Sequence, residues 1–172
     1  WQICCFMKSK RITIKSFNLK RSLKNSGPEE NTKQKSTLQS DGKIYTWSTS
    51  MERVSIVREG IPFGSIEYVS HRLNLPIKSI LSYIGIPQTT YNKKKSESAY
   101  MESRDSELIL MINELIDYGQ EVFNGDHTKF LRWFQKTNLS LGGVAPETLL
   151  DTITGIDEVR YALDKIDSGN FA

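Results

Sequence analysis

The chain has 172 residues, 38% of them hydrophobic and 25% charged, with a formal net charge of +3. That length suits one compact domain or two very small ones. No apolar run approaches the ~20 residues that a bilayer-crossing helix needs, so no membrane partner and a cytoplasmic location are expected, and the two cysteines, the adjacent Cys4 and Cys5, form no disulfide framework, which points to a reducing compartment.

Residues 1–50 read as a basic, flexible N-terminal tail. The start, WQICCFMKSKR, does not resemble a signal peptide, because its apolar part is short and its charges follow that part. Met7 is an alternative start. Residues 1–40 hold nine basic residues against two acids, a net of +7, which leaves −4 for the rest. A basic arm on a slightly acidic body can meet polyanions, or it is simply a solvated tail. The stretch SGPEENTKQKSTLQSDGK has almost no apolar side chains with which to offset the entropy of ordering, and is expected to be disordered. The apolar patch Ile44–Trp47 is a candidate strand-like or docking segment.

Residues 51–100 read as a helix-turn-helix-like domain. Val54 and Val57 share a helical face that Gly60 ends. Ile66, Val69 and Leu73 follow at i, i+3, i+7. Ile77, Ile80, Leu81 and Ile84 form a third face, ended by Gly85. Pro87 opens the next helix from a first-turn position, with Tyr91 as its one core-type side chain. Short helices joined by tight glycine turns are the pattern of a helix-turn-helix.

Residues 101–172 read as a helical domain. Ser103 is a candidate N-cap, with acid nearby in the first turn. Leu108, Met111, Ile112, Leu115, Tyr118 and Val122 trace a long helix that Asn124-Gly125-Asp126 ends. Phe130, Leu131, Trp133 and Phe134 crowd a short helix held by tertiary contacts. Asn138–Val144 is a glycine-containing turn. Pro146 and Glu147 open another helix with Leu149, Leu150 and Ile153 inward and Gly155 as its stop. Ile156, Val159, Leu163 and Ile166 trace the last helix, with Asp157 and Glu158 at its start and Gly169 past its end.

Catalytic signatures are missing from this pattern. The two histidines, His71 and His127, have no cysteine or histidine at metal-ligand spacing. No GxSxG, P-loop or paired-cysteine motif occurs. Neither an enzyme nor a cofactor is expected.

In a helix-turn-helix the second helix enters the major groove. Here that helix spans roughly Pro87 to Ser96. Gln88, Thr89, Thr90 and Asn92 are able to read base edges, and Lys93, Lys94 and Lys95 to contact phosphate. The three lysines read equally well as a solvated helix end suited to the dipole, and the acidic body weighs against a large electrostatic footprint.

From Gly60 onward the order of pieces resembles the Xre/MbcA/ParS antitoxins, the partners of RES-domain toxins in bacterial toxin–antitoxin pairs. GIPQTTYNKKK is similar to that family's GIS-x-RT-x-x-RR segment, and SRDSELILMINELIDYGQEVFNGD to its S-x-R-x-x-R…A-x-x-VFG pattern. The closest likeness is in FLRWFQKTNLSLGGVAPETLLDTITGIDEVRYALDKIDSGNFA. There Trp133, Leu141, Gly142, Gly143, Pro146, Leu149, Leu150, Thr152, Gly155, Val159, Leu163, Ile166 and Gly169 fall in step with the family's ending. The resemblance covers about Gly60 to Ala172 and is silent on residues 1–50. Three departures stand out. Gln88-Thr89 replaces arginine-threonine, Lys93–Lys95 replace arginines and lack their bidentate fork, and Asn138 stands where a proline-asparagine pair is usual.

The resemblance implies an all-α fold, with an Xre-like helix-turn-helix module followed by a C-terminal helical toxin-binding domain. It implies an antitoxin of a type II system that binds and neutralises a cognate RES-domain, NAD-consuming toxin by occluding its active site. It also implies autoregulation through promoter DNA, by a homodimer within a hetero-oligomeric toxin–antitoxin complex. The candidate toxin-binding residues are Leu141, Gly142, Gly143, Pro146, Arg160, Tyr161, Asp164, Lys165, Ser168, Gly169, Asn170 and Phe171. Val159, Leu163 and Ile166 read as core or as interface, and their polar neighbours are the better interface candidates because a core does not hold them. The alternative is a plain DNA-binding regulator whose C-terminal helices serve dimerisation only. A helical adaptor with a vestigial DNA module is a third reading.

Overall fold

The computed structural model describes residues 35–169. Most of the basic tail, together with Asn170 and Phe171, lies outside the described residues. The described part begins with a hairpin, β1 (Ser36–Ser40) and β2 (Lys43–Trp47), paired antiparallel with Ser36 opposite Trp47 and Ser40 opposite Lys43. Seven α-helices follow: α1 (Ser50–Glu59), α2 (Ser65–Leu73), α3 (Ile77–Ile84), α4 (Gln88–Ser96), α5 (Ser103–Val122), α6 (His127–Phe134) and α7 (Ile153–Asp167). Two 3-10 turns, Leu139–Leu141 and Pro146–Leu149, lie between α6 and α7. None of the described helices is long and apolar enough to cross a membrane.

The hairpin corrects the all-α expectation and, for residues 35–43, the expected disorder of the stretch 26–43, whose first part lies outside the described residues. The strand-like segment at Ile44–Trp47 is real, and its partner is STLQS. The turn between them is Asp41-Gly42, both at positive φ (48° and 75°), as tight hairpin turns require. β1 buries Ser36, Leu38 and Ser40 and exposes Thr37 and Gln39, the alternation of a half-buried strand. Leu38 and Trp47 enter the core. The Trp47 indole donates to Glu114, which also pairs with Arg53 of α1. A capping box, Thr49 with Glu52, starts α1.

The helical periodicities hold well. Ile66, Val69 and Leu73 of α2 are fully buried, as are or nearly are Ile80, Leu81 and Ile84 of α3. The N–H of Met101 donates to Ile61 O (2.8 Å), and Phe63 N–H donates to Ala99 O (3.3 Å). This contact ties the chain after α4 back to the chain before α2. Gly60 (φ 77°) permits it, since a Cβ there would stand 2.6 Å from Met101 O.

α5 is the central element. It packs against β1, α1, α2, α3, α6 and α7, and therefore buries more than one stripe: Leu108, Ile109, Leu110, Ile112, Leu115 and Ile116. Met111, Tyr118 and Val122, expected inward, lie half-buried at its edges. Its N-cap is Glu102 and not Ser103, which is the first helical residue. Pro87 likewise stands just before α4 as its N-cap.

The expected helix from Pro146 to Gly155 is instead one 3-10 turn, and Gly155 lies inside the first turn of α7. Thr152 caps α7, accepting from Gly155 N–H at 3.0 Å. A Cβ on Gly155 would overlap Leu149 O, so glycine serves close approach there and not chain termination. With α7 starting earlier, Asp157 and Glu158 fall in its second turn, and Ile153 turns outward, 47% exposed.

Candidate functional site

Two surfaces carry the residues singled out above. The first is α4. It follows α3 across the turn Gly85-Ile86-Pro87, where Gly85 adopts the left-handed conformation (φ 73°) that ends α3. Only Tyr91 of α4 is buried. Gln88, Thr89, Thr90, Asn92, Lys93, Lys94 and Lys95 are all exposed. Gln88 Nε2 donates to Asn92 Oδ1 at 3.0 Å, so two of the amide readers hold each other. Lys95 is ion-paired with Glu67 of α2, and the Tyr91 hydroxyl donates to the same carboxylate at 3.2 Å. The Lys95 hydrogen bond, and then the added pull of the lysine charge and Tyr91, hold the Glu67 carboxyl below its usual range. The same contact raises the Lys95 ammonium. Lys93 and Lys94 make no ion pair among the described residues, which leaves them as the two cations of the exposed trio that no carboxylate engages.

The second surface is built by α6, the two 3-10 turns and α7. α6 is held down by Phe130 and Phe134, both fully buried, in tilted contact at 5.4 Å between ring centroids. Asp126 caps it by accepting from Lys129 N–H at 2.9 Å. α7 buries Gly155, Ile156, Val159, Ala162 and Leu163. Val159 and Leu163 are thus core, and Ile166 lies half-buried.

The outer side of α7 carries most of the polar candidates. Arg160, Tyr161, Asp164 and Ser168 are exposed and Lys165 is partly so. They are ordered by contacts with one another and with α5. The Tyr118 hydroxyl donates to Asp164 at 2.6 Å, and the Arg160 guanidinium lies 5.1 Å from the Tyr118 ring. Burial, then the bond to Asp164 and the nearby acids, push the Tyr118 hydroxyl up, so it stays a donor. The Lys165 ammonium lies 4.6 Å from the Tyr161 ring, which is 58% exposed. Ser168 Oγ donates to Asp164 O, and Gly169 (φ 73°) follows the helix end.

The remaining candidates divide by burial. Leu141 is half-buried, Gly142 and Gly143 are exposed, and Pro146 is buried, so Pro146 shapes the surface from beneath. Glu147, expected in the first turn of a helix, has one buried carboxylate oxygen that lacks a hydrogen-bond partner, and burial raises its pKa. Sequence reasoning did not single out Tyr118 as surface-forming, and it placed Ile153 inward. Tyr118 was legible only as a core position on a helical stripe, because its partner Asp164 is 46 residues away. Among the described residues no group of three or more His, Cys, Asp or Glu is placed to hold a metal ion.

The family match falls on this second surface, and the relatives extend beyond it. Residues 119–169 match the antitoxin Xre/MbcA/ParS C-terminal toxin-binding domain. That span runs from the last turn of α5 through α7. A protein of Photorhabdus laumondii described as "Antitoxin Xre" is 27% identical over 115 residues, covering 67% of this chain and 78% of its own. A "Prs ADP-ribosylating antitoxin" of a Sphingobium species is 26% identical over 133 residues, covering 73% and 84%. An "Antitoxin Xre" of Yersinia enterocolitica is 25% identical over 119 residues, covering 69% and 80%.

Proposed function

We propose that the chain is an antitoxin of the Xre/MbcA/ParS type and that it binds and neutralises a cognate RES-domain toxin through the outer surface of α6, the two turns and α7. The observation that carries this reading is a coincidence. The stretch matched to a toxin-binding domain, residues 119–169, is one structural module whose inner face is core and whose outer face is polar, aromatic and open. Arg160 and Tyr161 are the residue types that anchor protein interfaces, and Asp164 and Lys165 add charge beside them. The partner is a toxin that consumes NAD, and binding occludes its active site. The ADP-ribosyl wording in the Sphingobium relative's description is in keeping with a partner of that chemistry. The helix end, Ser168 and Gly169 with Asn170 and Phe171 beyond it, is the part of the chain assigned to the toxin's pocket.

The same protein binds its own promoter through α4, as a homodimer that sets two such helices on two half-sites. Gln88, Thr89, Thr90 and Asn92 face bases. Of the lysines, Lys93 and Lys94 are the phosphate contacts, since Lys95 is engaged by Glu67.

Co-expression tests the central reading. The toxin encoded beside this gene should arrest growth alone and be silent beside the full chain. A chain truncated after Asp167 should neutralise poorly while retaining promoter binding. Growth arrest that the full chain does not relieve removes the antitoxin reading. Neutralisation by the truncated chain as complete as by the full one removes the role of the helix end.

A further inference from the structure

The loop between α6 and α7 is closed by more hydrogen bonds than a surface connection requires. Asn138 organises it. Its N–H donates to Val144 O at 2.9 Å, and its carbonyl accepts from Leu141 N–H at 3.1 Å and Gly143 N–H at 2.9 Å. Its side-chain oxygen accepts from Ser140 N–H at 3.0 Å and from the Ser140 hydroxyl at 2.9 Å. Gly142 and Gly143 complete the closure at φ 74° and 81°, and a Cβ on either would meet nothing within 4 Å. The two glycines therefore serve the backbone turn and not close packing.

At the tip of this closed loop stands Leu139, 94% exposed, with Val144 39% exposed across the base. A single exposed leucine on a surface is ordinary. This one is different in that the backbone carrying it is fixed, and its own packing contributes nothing to the fold. Leu141, two residues on, faces the core instead. The 3-10 turn bearing Leu139 packs against α7, so the exposed leucine lies on the module that carries Arg160 and Tyr161.

We propose that Leu139 is a pre-formed apolar anchor that enters a nonpolar socket on the toxin. This rests on the antitoxin reading above and adds to it the residue and the chemistry of one contact. The toxin is the occupant because the loop lies within the stretch matched to a toxin-binding domain. A loop already held in its bound shape loses little conformational freedom on docking, which is how a small apolar contact becomes a strong one. Buried anchors ringed by polar neighbours carry most of the energy of such interfaces.

The test measures the affinity of the full chain for an inactivated form of the toxin encoded beside this gene, by titration calorimetry. Wild type is compared with Leu139→Asp and Leu139→Ala, alongside thermal melting and sedimentation of each free chain. Leu139→Asp should weaken binding by about ten- to a hundredfold, the equivalent of losing one leucine burial. Its melting temperature should stay with wild type, since the side chain is outside the core. Leu139→Ala should weaken binding at least about threefold, which covers the case in which aspartate disturbs the loop. Binding by both variants within twofold of wild type overturns the anchor. So does a variant that alters self-association and leaves toxin affinity unchanged, which would assign Leu139 to a second copy of this chain. Failure of the wild-type chain to bind at all removes the antitoxin reading and the anchor together.

Discussion

At Gly119 the ring of the fully buried Phe130 lies where a side chain would begin, and a Cβ built there would overlap three ring carbons. α6 rests on α5 at this point, with Phe123, Phe130 and Trp133 in a tilted cluster at 5.9–6.5 Å between centroids. Alanine is the better helix former by about 1 kcal/mol, so propensity alone makes Gly119→Ala stabilising. Overpacking a tight core costs about 1–3 kcal/mol, and a fully buried ring in contact with Phe123, Trp133 and Phe134 has little room to yield. Gly119→Ala should therefore lower stability by about 1–2 kcal/mol net in urea denaturation. Gly119→Ala with Phe130→Leu should cost less than the sum of the two single changes. A Gly119→Ala chain as stable as wild type, or more so, would mean that α6 shifts freely on α5.

Between elements, the fully buried Asn113 of α5 does what no local pattern announces. Its Nδ2 donates to Thr37 O of β1 at 3.1 Å and to Asp117 at 3.3 Å, and its Oδ1 accepts from Arg72 of α2 at 2.8 Å. Arg72 continues to Asp117 at 2.7 Å and to Gln120 at 3.1 Å. Asn113→Ala strips a partner from the β1 carbonyl and from Arg72 at once. Both bonds are part-buried, and losing a partner there costs up to about 1–3 kcal/mol each. A loss of about 2–4 kcal/mol is expected, with amide exchange in the hairpin accelerated more than in α7. Uniform acceleration across the chain would show that the hairpin depends on something else. This network also marks where the sequence stops being readable. The helices were legible because Ile66, Val69 and Leu73, or Ile80, Leu81 and Ile84, repeat at helical spacing. β1 was not, because its inward residues are two serines around one leucine, and only the Asp41-Gly42 turn signals it. Gly155 misled for the same reason: its cause is Leu149 O, a tertiary neighbour. At the candidate sites, residue type and exposure were legible at α4 and α7, but the pairing of Lys95 with Glu67 and of Asp164 with Tyr118 depends on how the helices meet.

For the molecule as a whole, the division of roles at about residue 100 does not coincide with a break in packing. One buried cluster runs from Leu38 to Leu163, and the described residues, 35–169, group in one compact unit. α5 is shared, because it buries Leu108, Ile109, Leu110 and Ile112 within a core that also includes the hairpin, α1, α2 and α3. A fragment of residues 101–172 would leave much of that apolar surface in water, at about 25 cal/mol for each Å², with about half the chain available to cover it. The full chain should accordingly unfold in a single transition. Its tryptophans are placed to check this. Trp47 reports on the hairpin and α1 through Glu114, and Trp133 on α6 through Phe123 and Phe130. In a chain with Trp1→Phe, the single-tryptophan variants made by Trp47→Phe and by Trp133→Phe will differ in stability, so each is compared with its own circular dichroism. Coincident fluorescence and dichroism midpoints in both variants, and no cooperative transition in the 101–172 fragment, are the expected results. Midpoints that separate in either variant, or a fragment that melts cooperatively, would mean two cores. The α4 surface and the α7 surface would then rest on bodies able to unfold independently, and a destabilising change in α3 would spare toxin binding. With one core, such a change weakens both proposed functions in proportion to the folded fraction it removes.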